Sequence, residues 1–146
     1  MATVIGKRVI LAGGECPLSV EAKALEADII GGMSVDMTAT GLQKNANAAT
    51  VKGVLPLIAD KDSMKQKTVE DAWAINENMI ALQPESGTFL NVLVATGNNI
   101  TKVGTPLTVN GAGKFKIAAP ATDNVYCYAD EIVNLGADAL VRVRFA

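Results

Sequence analysis

Apolar and polar side chains alternate with a period of two in several short runs. Met33, Val35 and Met37 alternate with Ser34, Asp36 and Thr38, and Phe115 and Ile117 with Lys114 and Lys116. Near the C-terminus Val141, Val143 and Phe145 alternate with Arg142 and Arg144. Successive side chains of a strand point to opposite faces, so this pattern predicts half-buried β-strands. Residues 88–95, 107–109 and 125–129 are rich in β-branched or aromatic side chains and predict further strands. Asn110-Gly111-Ala112-Gly113 separates two of these runs and predicts a hairpin, because Asn and Gly accept the positive φ of tight turns. The expected fold is all-β: a small β-barrel or sandwich with a short helical turn and an extended N-terminal arm.

Residues 18–24 fit two patterns. Leu18, Ala22, Leu25 and Ile29 lie on a helical stripe, while Leu18, Val20, Ala22 and Ala24 also alternate with Ser19, Glu21 and Lys23. Period two governs the rest of the chain, so an extended arm is expected over residues 1–27, ahead of a β-domain over 28–146. Such an arm can cover its own barrel or add to a neighbour's edge. The helical turn is expected at residues 68–74, where Thr68 and Asp71 have capping-box spacing and Asn76 and Asn78 end the turn. Gly31 and Ala39-Thr40-Gly41 are echoed by Gly87 and Ala95-Thr96-Gly97. The echo reads either as a duplicated hairpin or as two uses of one turn chemistry.

Composition narrows the function. The 146 residues amount to one domain, carry 13 basic and 15 acidic side chains, and have a formal charge of −2. That balance lacks the basic footprint of a nucleic-acid binder. The apolar fraction is dominated by 22 alanines and 15 valines, against six aromatic residues, which suits thin layers better than a deep ligand pocket. Histidine is absent, removing the commonest general acid/base and metal ligand. No leader and no run long enough for a membrane span is visible, so no membrane partner is expected. Cys16 and Cys127 have no metal or redox spacing, which leaves a disulfide, two free thiols or two buried hydrophobes, and reduced structural cysteines are the expectation.

The motifs that suggest chemistry fail on spacing. Gly111-Ala112-Gly113-Lys114 lacks the upstream glycine and the following Ser or Thr of a phosphate loop. Asp60-Lys61-Asp62-Ser63 begins like a calcium loop, but Met64 stands at the next ligand position, so a solvated loop is expected. Glu70-Asp71 and Asp130-Glu131 are adjacent pairs that point apart on a strand. None of the four serines lies in a nucleophile elbow. No catalytic residue, cofactor or metal is expected. Trp73, the single tryptophan, reads either as core or as an anchor at a protein contact.

A series of short stretches carries a family likeness. It runs through Val54-Leu55-Pro56-Leu57-Ile58-Ala59, the loop 60–67 and Thr68-Val69-Glu70-Asp71-Ala72-Trp73-Ala74. It continues with Glu85-Ser86-Gly87-Thr88-Phe89-Leu90, Ala95-Thr96-Gly97-Asn98-Asn99-Ile100 and Val103-Gly104-Thr105-Pro106-Leu107. Asn110 to Lys114, Tyr128-Ala129-Asp130-Glu131 and Ala139 to Arg144 complete it. In this order they resemble the tailed-bacteriophage capsid decoration, or cement, proteins, over residues 28–146. The resemblance implies a structural virion protein on the outer surface of an icosahedral head, bridging neighbouring major capsid subunits and stabilising the DNA-filled shell. The expected partners are the major capsid protein and further copies of the chain, as a dimer or trimer. Contact candidates are Lys7, Arg8, Leu18, Val20, Ala22, Ala24 and Trp73. The rival expectation is a receptor- or carbohydrate-binding β-module of a phage tail or fibre.

Overall fold

The computed structural model describes residues 7–14, 17–51 and 56–145. Its regular structure is almost wholly β. A short first strand, β1 (Leu11–Gly13), precedes β2 (Leu18–Lys23), β3 (Ser34–Met37), β4 (Leu42–Lys44), β5 (Leu57–Ala59) and β6 (Asn78–Gln83). Strands β2 to β6 form one sheet in the order β2-β6-β5-β3-β4. A parallel bridge between Ala24 and Leu42 draws its two edges together at one end.

The second half contains β7 (Phe89–Val94), β8 (Asn99–Ile100), β9 (Pro106–Val109), β10 (Phe115–Ile117), β11 (Cys127–Ala129), β12 (Val133–Asn134) and β13 (Ala139–Phe145). Strands β7, β10, β9, β11 and β13 follow one another round a closed five-stranded barrel, since β13 pairs back with β7. The β8–β12 pair is a separate ribbon. The hairpin between β9 and β10 forms as the sequence predicts. The Asn110 side-chain oxygen accepts from the backbone N–H groups of Ala112 and Lys114 and holds the turn.

The two halves are the same unit twice. Counting β2, β3, β4, β5 and β6 against β7, β9, β10, β11 and β13, each pairing in one half recurs in the other with the same register. Val35 pairs Lys44 and Met37 pairs Leu42, just as Leu107 pairs Ile117 and Val109 pairs Phe115. Ile58 pairs Leu82 and Ala59 pairs Ala81, as Tyr128 pairs Arg144 and Ala129 pairs Val143. Ser34 pairs Ile58 as Pro106 pairs Tyr128. The closing contact is shared too: Leu25 N–H donates to Leu42 O at 2.9 Å, and Ala95 N–H to Phe115 O at 2.9 Å. The Ala-Thr-Gly echo is not this repeat. The first turn links β3 to its partner β4, whereas the second leads from β7 into β8, which pairs with β12.

One apolar core runs through both units, from Ile29, Val35, Leu42 and Ile58 to Leu90, Val92, Leu107, Phe115 and Val143. Strand β7 is buried on both faces, which accounts for its nearly unbroken apolar run. At the junction Leu93 N–H donates to Gly32 O at 2.8 Å, and Ser34 N–H to Gly113 O at 2.8 Å.

Three expectations need correction. Residues 18–23 are extended, but they are the edge strand β2 of the first sheet, antiparallel to β6 over six pairs, rather than an arm outside it. The helical turn lies at Ser63–Lys65, as a 3-10 turn, not at residues 68–74. Asp71 does accept from Thr68 N–H and Oγ1, at 2.8 and 3.1 Å. The chain then leaves the helical path because Trp73 N–H donates to Ile29 O at 2.8 Å. Third, the 60–63 loop is not simply solvated: Asp62 is only 4% exposed and its Oδ1 accepts from Lys65 N–H.

Candidate functional site

The chain segment before β1 crosses to the second unit and is clasped there. Asn91 donates twice, from its backbone N–H to Ile10 O at 2.7 Å and from Nδ2 to Val9 O at 2.8 Å. Lys7 Nζ lies 2.9 Å from Glu131 Oε2, and Lys61 Nζ donates to Arg8 O at 3.0 Å. Between this segment and the loop after β5 opens a cleft of about 460 Å³. Lys7, Arg8, Lys61 and Lys67 supply its cations, and Glu70 its carboxylate.

The far wall of the cleft belongs to a loop that is fixed from within. Trp73 Nε1 donates to Asp60 O at 2.8 Å. Lys65 Nζ lies 2.7 Å from Glu77 Oε1, while Glu77 Oε2 accepts from Ala74 N–H at 3.1 Å. The Lys65 ammonium, helped by a hydrogen bond with Asp62, holds the Glu77 carboxyl down at about 2. Burial, reinforced by Glu77, pushes Asp62 up. Burial likewise raises Asp60. The proximity of the two carboxyls therefore moves them apart, Glu77 down beside Lys65 and Asp62 up.

Chemically the cleft is a concave surface with four cations to one carboxylate in its lining, of which Lys7 is paired with Glu131 and Lys61 bonded to the Arg8 carbonyl. Each exposed ion pair made there is worth about 0–1 kcal/mol, so useful affinity needs several together. Among the described residues its lining holds no serine, cysteine or histidine. Among the described residues, no group of three or more Asp, Glu, His or Cys is placed to hold a metal ion. No helix among them is long and apolar enough to cross a membrane.

The contact candidates separate into two places and a core. Lys7 and Arg8 sit in the cleft. Leu18, 61% exposed, begins the β2 edge, with Val20 and Ala22 half-buried against the core. Ala24 and Trp73 are withdrawn as surface contacts. Ala24 is fully buried at the bridge to Leu42, and Trp73 is 2% exposed with its indole N–H already bonded. Cys127 is buried in β11, and Cys16 lies outside the described residues. The sequence reading missed the loop half of the cleft, although Lys61, Lys65 and Lys67 in close succession were a visible signal. It also missed the exposed pair Val103 and Ile132, 58% and 66% accessible, flanking the start of β9 and the end of β11.

Comparison with models of known protein families and with curated proteins found no match to this chain.

Proposed function

We propose that the chain is a structural virion protein that binds the exterior of an icosahedral tailed-phage capsid and cements neighbouring major capsid subunits. Its role is non-enzymatic and needs no cofactor. The observation that carries this reading is the presence of two separate exposed surfaces with no residue in common, so that one can grip a capsid subunit while the other joins a second subunit or a neighbouring copy of the chain. One is the cationic cleft around Lys7, Arg8, Lys61 and Lys67, and the other is the exposed edge of β2. A cement protein must hold two neighbours at once, and many weak contacts on a repeating lattice add up through effective concentration. The resemblance in the ordered motifs of residues 28–146 supports the same reading. A sugar-binding module has less support, because Trp73, Phe115, Tyr126 and Phe145 are buried and the Phe89 ring is covered by Arg142.

Sedimentation with intact cognate capsids tests the proposal. Saturable binding at a lattice-matched copy number is expected, weakened at least tenfold in a Lys61→Glu, Lys67→Glu variant. Absence of binding by the folded wild-type protein would sink the capsid reading.

A further inference from the structure

The repeat makes the surface of each unit a template for the other. Along the outward side of β7 and just past its end, three backbone N–H groups are taken: Asn91 donates to Ile10 O, Leu93 to Gly32 O, and Ala95 to Phe115 O. Their counterparts on β2 are Glu21, Lys23 and Leu25. Leu25 donates to Leu42 O, as Ala95 does to Phe115 O. The N–H groups of Glu21 and Lys23 have no such partner among the described residues, where β2 pairs with β6 and meets β4 only at its end, through the Ala24–Leu42 bridge and with Gly41 beside the Lys23 carbonyl. Ser19, Glu21 and Lys23 are exposed along this edge. An unpaired row of donors and acceptors is a template for another chain.

The group that fills this position on β7 also has a free counterpart. Gly32, which docks on Leu93, corresponds to Gly104. Gly32 N–H donates to Ala59 O at 2.9 Å and Gly104 N–H to Ala129 O at 2.8 Å, with φ of 89° and 92°. A Cβ on Gly32 would run into Leu140 and approach Asn91 O and Leu93 N at 3.1 Å, whereas a Cβ on Gly104 would meet nothing. The Gly104 carbonyl accepts no hydrogen bond among the described residues. Gly31, whose place is covered by Ile10, corresponds to Val103, which carries its own apolar side chain into the open.

We infer that a second copy of this chain docks its Gly104 corner on the free β2 edge, repeating between molecules the junction that Gly32 and β7 make within one. Gly104 O of one copy accepts from Lys23 N–H of the next, with Val103 lying over the edge near Glu21. The interface is heterologous: corner to edge, leaving an edge on one copy and a corner on the other. Repetition gives a ring or a chain of copies. The inference stands on the repeat alone and holds whether or not the partner surface is a capsid.

The test uses purified full-length protein and sedimentation velocity over a range of concentrations. The wild type should form species heavier than the 15.2 kDa chain, in amounts that rise with concentration. Lys23→Pro removes the outward N–H at an edge position where proline is tolerated. Val103→Glu places a charge on the corner at an exposed site. Each variant alone should sediment as a monomer while keeping the wild-type circular dichroism spectrum and melting curve. Mixed in equal amounts they should form a heterodimer and nothing larger, because one retains its corner and the other its edge. A monomeric wild type, undiminished association in both variants, or a mixture that stays monomeric would each overturn the inference. The last outcome would point to a symmetric interface.

Discussion

Gly32 and Gly104 occupy one corner of the same repeated unit, and only Gly32 is packed. Both sit at positive φ, where a side chain costs about 1–2 kcal/mol in backbone strain. Gly32→Ala adds a clash with Leu140 and the β7 backbone; Gly104→Ala adds none. Overpacking of this kind costs about 1–3 kcal/mol. Urea denaturation should therefore place Gly32→Ala at a clearly lower midpoint than Gly104→Ala. Equal midpoints would contradict the packed junction.

Amide exchange should separate the two sides of β2. Ala24 N–H donates to Glu77 O within the sheet, whereas the N–H groups of Glu21 and Lys23 face outward. At dilutions where the chain is monomeric, Glu21 and Lys23 should exchange faster than Asn91 and Leu93, their bonded counterparts on β7. Comparable protection at the four positions would mean that the β2 edge is covered.

The acid response depends on Asp62 and Glu77, with opposite signs. Glu77 titrates lower in the folded chain, near 2, so its contribution is present above its ordinary value of 4.5 and is lost as pH falls toward 2. Glu77→Gln should flatten that acid limb. Asp62 titrates higher when folded, so its protonated form favours the fold and its ionisation opposes it as pH rises. Asp62→Asn keeps an oxygen for Lys65 N–H and supplies a donor for Glu77. It should stabilise the protein at pH 7 and lose that advantage in acid. Thermal melts from pH 3 to 8 give both curves.

Trp73 should emit as a buried indole and shift red on unfolding. Trp73→Phe leaves Asp60 O without its donor, a loss of about 1–3 kcal/mol, read from the denaturation midpoint. Because Asp60 adjoins Lys61, the variant should also loosen the cleft.

Cys127 is fully buried, and burial raises its thiol. Iodoacetamide should leave it unlabelled in the native protein and modify it in denaturant, as followed by peptide mass spectrometry. Rapid native labelling would be inconsistent with its place in β11.

Much of this architecture was legible where side-chain pattern and backbone agree. Strands β3, β7, β9, β10, β11 and β13 and the Asn110 hairpin follow from alternation, β-branching and turn chemistry. Strand β6 was missed because Met79, Ala81 and Leu82 read equally well as helix formers, and its identity comes from pairing with β2 and β5. The repeat was hidden for a related reason. Strand pairing uses backbone groups, so equivalent positions need only matching inward faces: Leu42 answers to Phe115 and Val35 to Leu107. Among the paired strands and their adjoining corners, identity survives at Gly32 and Gly104, Ala59 and Ala129, and Asp60 and Asp130. The contact candidates were legible as charge and alternation at Lys7, Arg8 and Leu18. Burial, which sequence does not display residue by residue, removed Ala24 and Trp73.

The clasp of residues 7–10 by Asn91 ties the beginning of the chain to its second half. During synthesis residues 7–10 leave the ribosome before β7, and the carbonyls of Val9 and Ile10 find their Asn91 donors only after β7 has emerged. A nascent or truncated chain that stops before β7 lacks the Asn91 donors that hold residues 9 and 10 in place. The wall of the cleft is thus set in place by contacts from both halves of the fold, Lys61 from the first and Asn91 and Glu131 from the second.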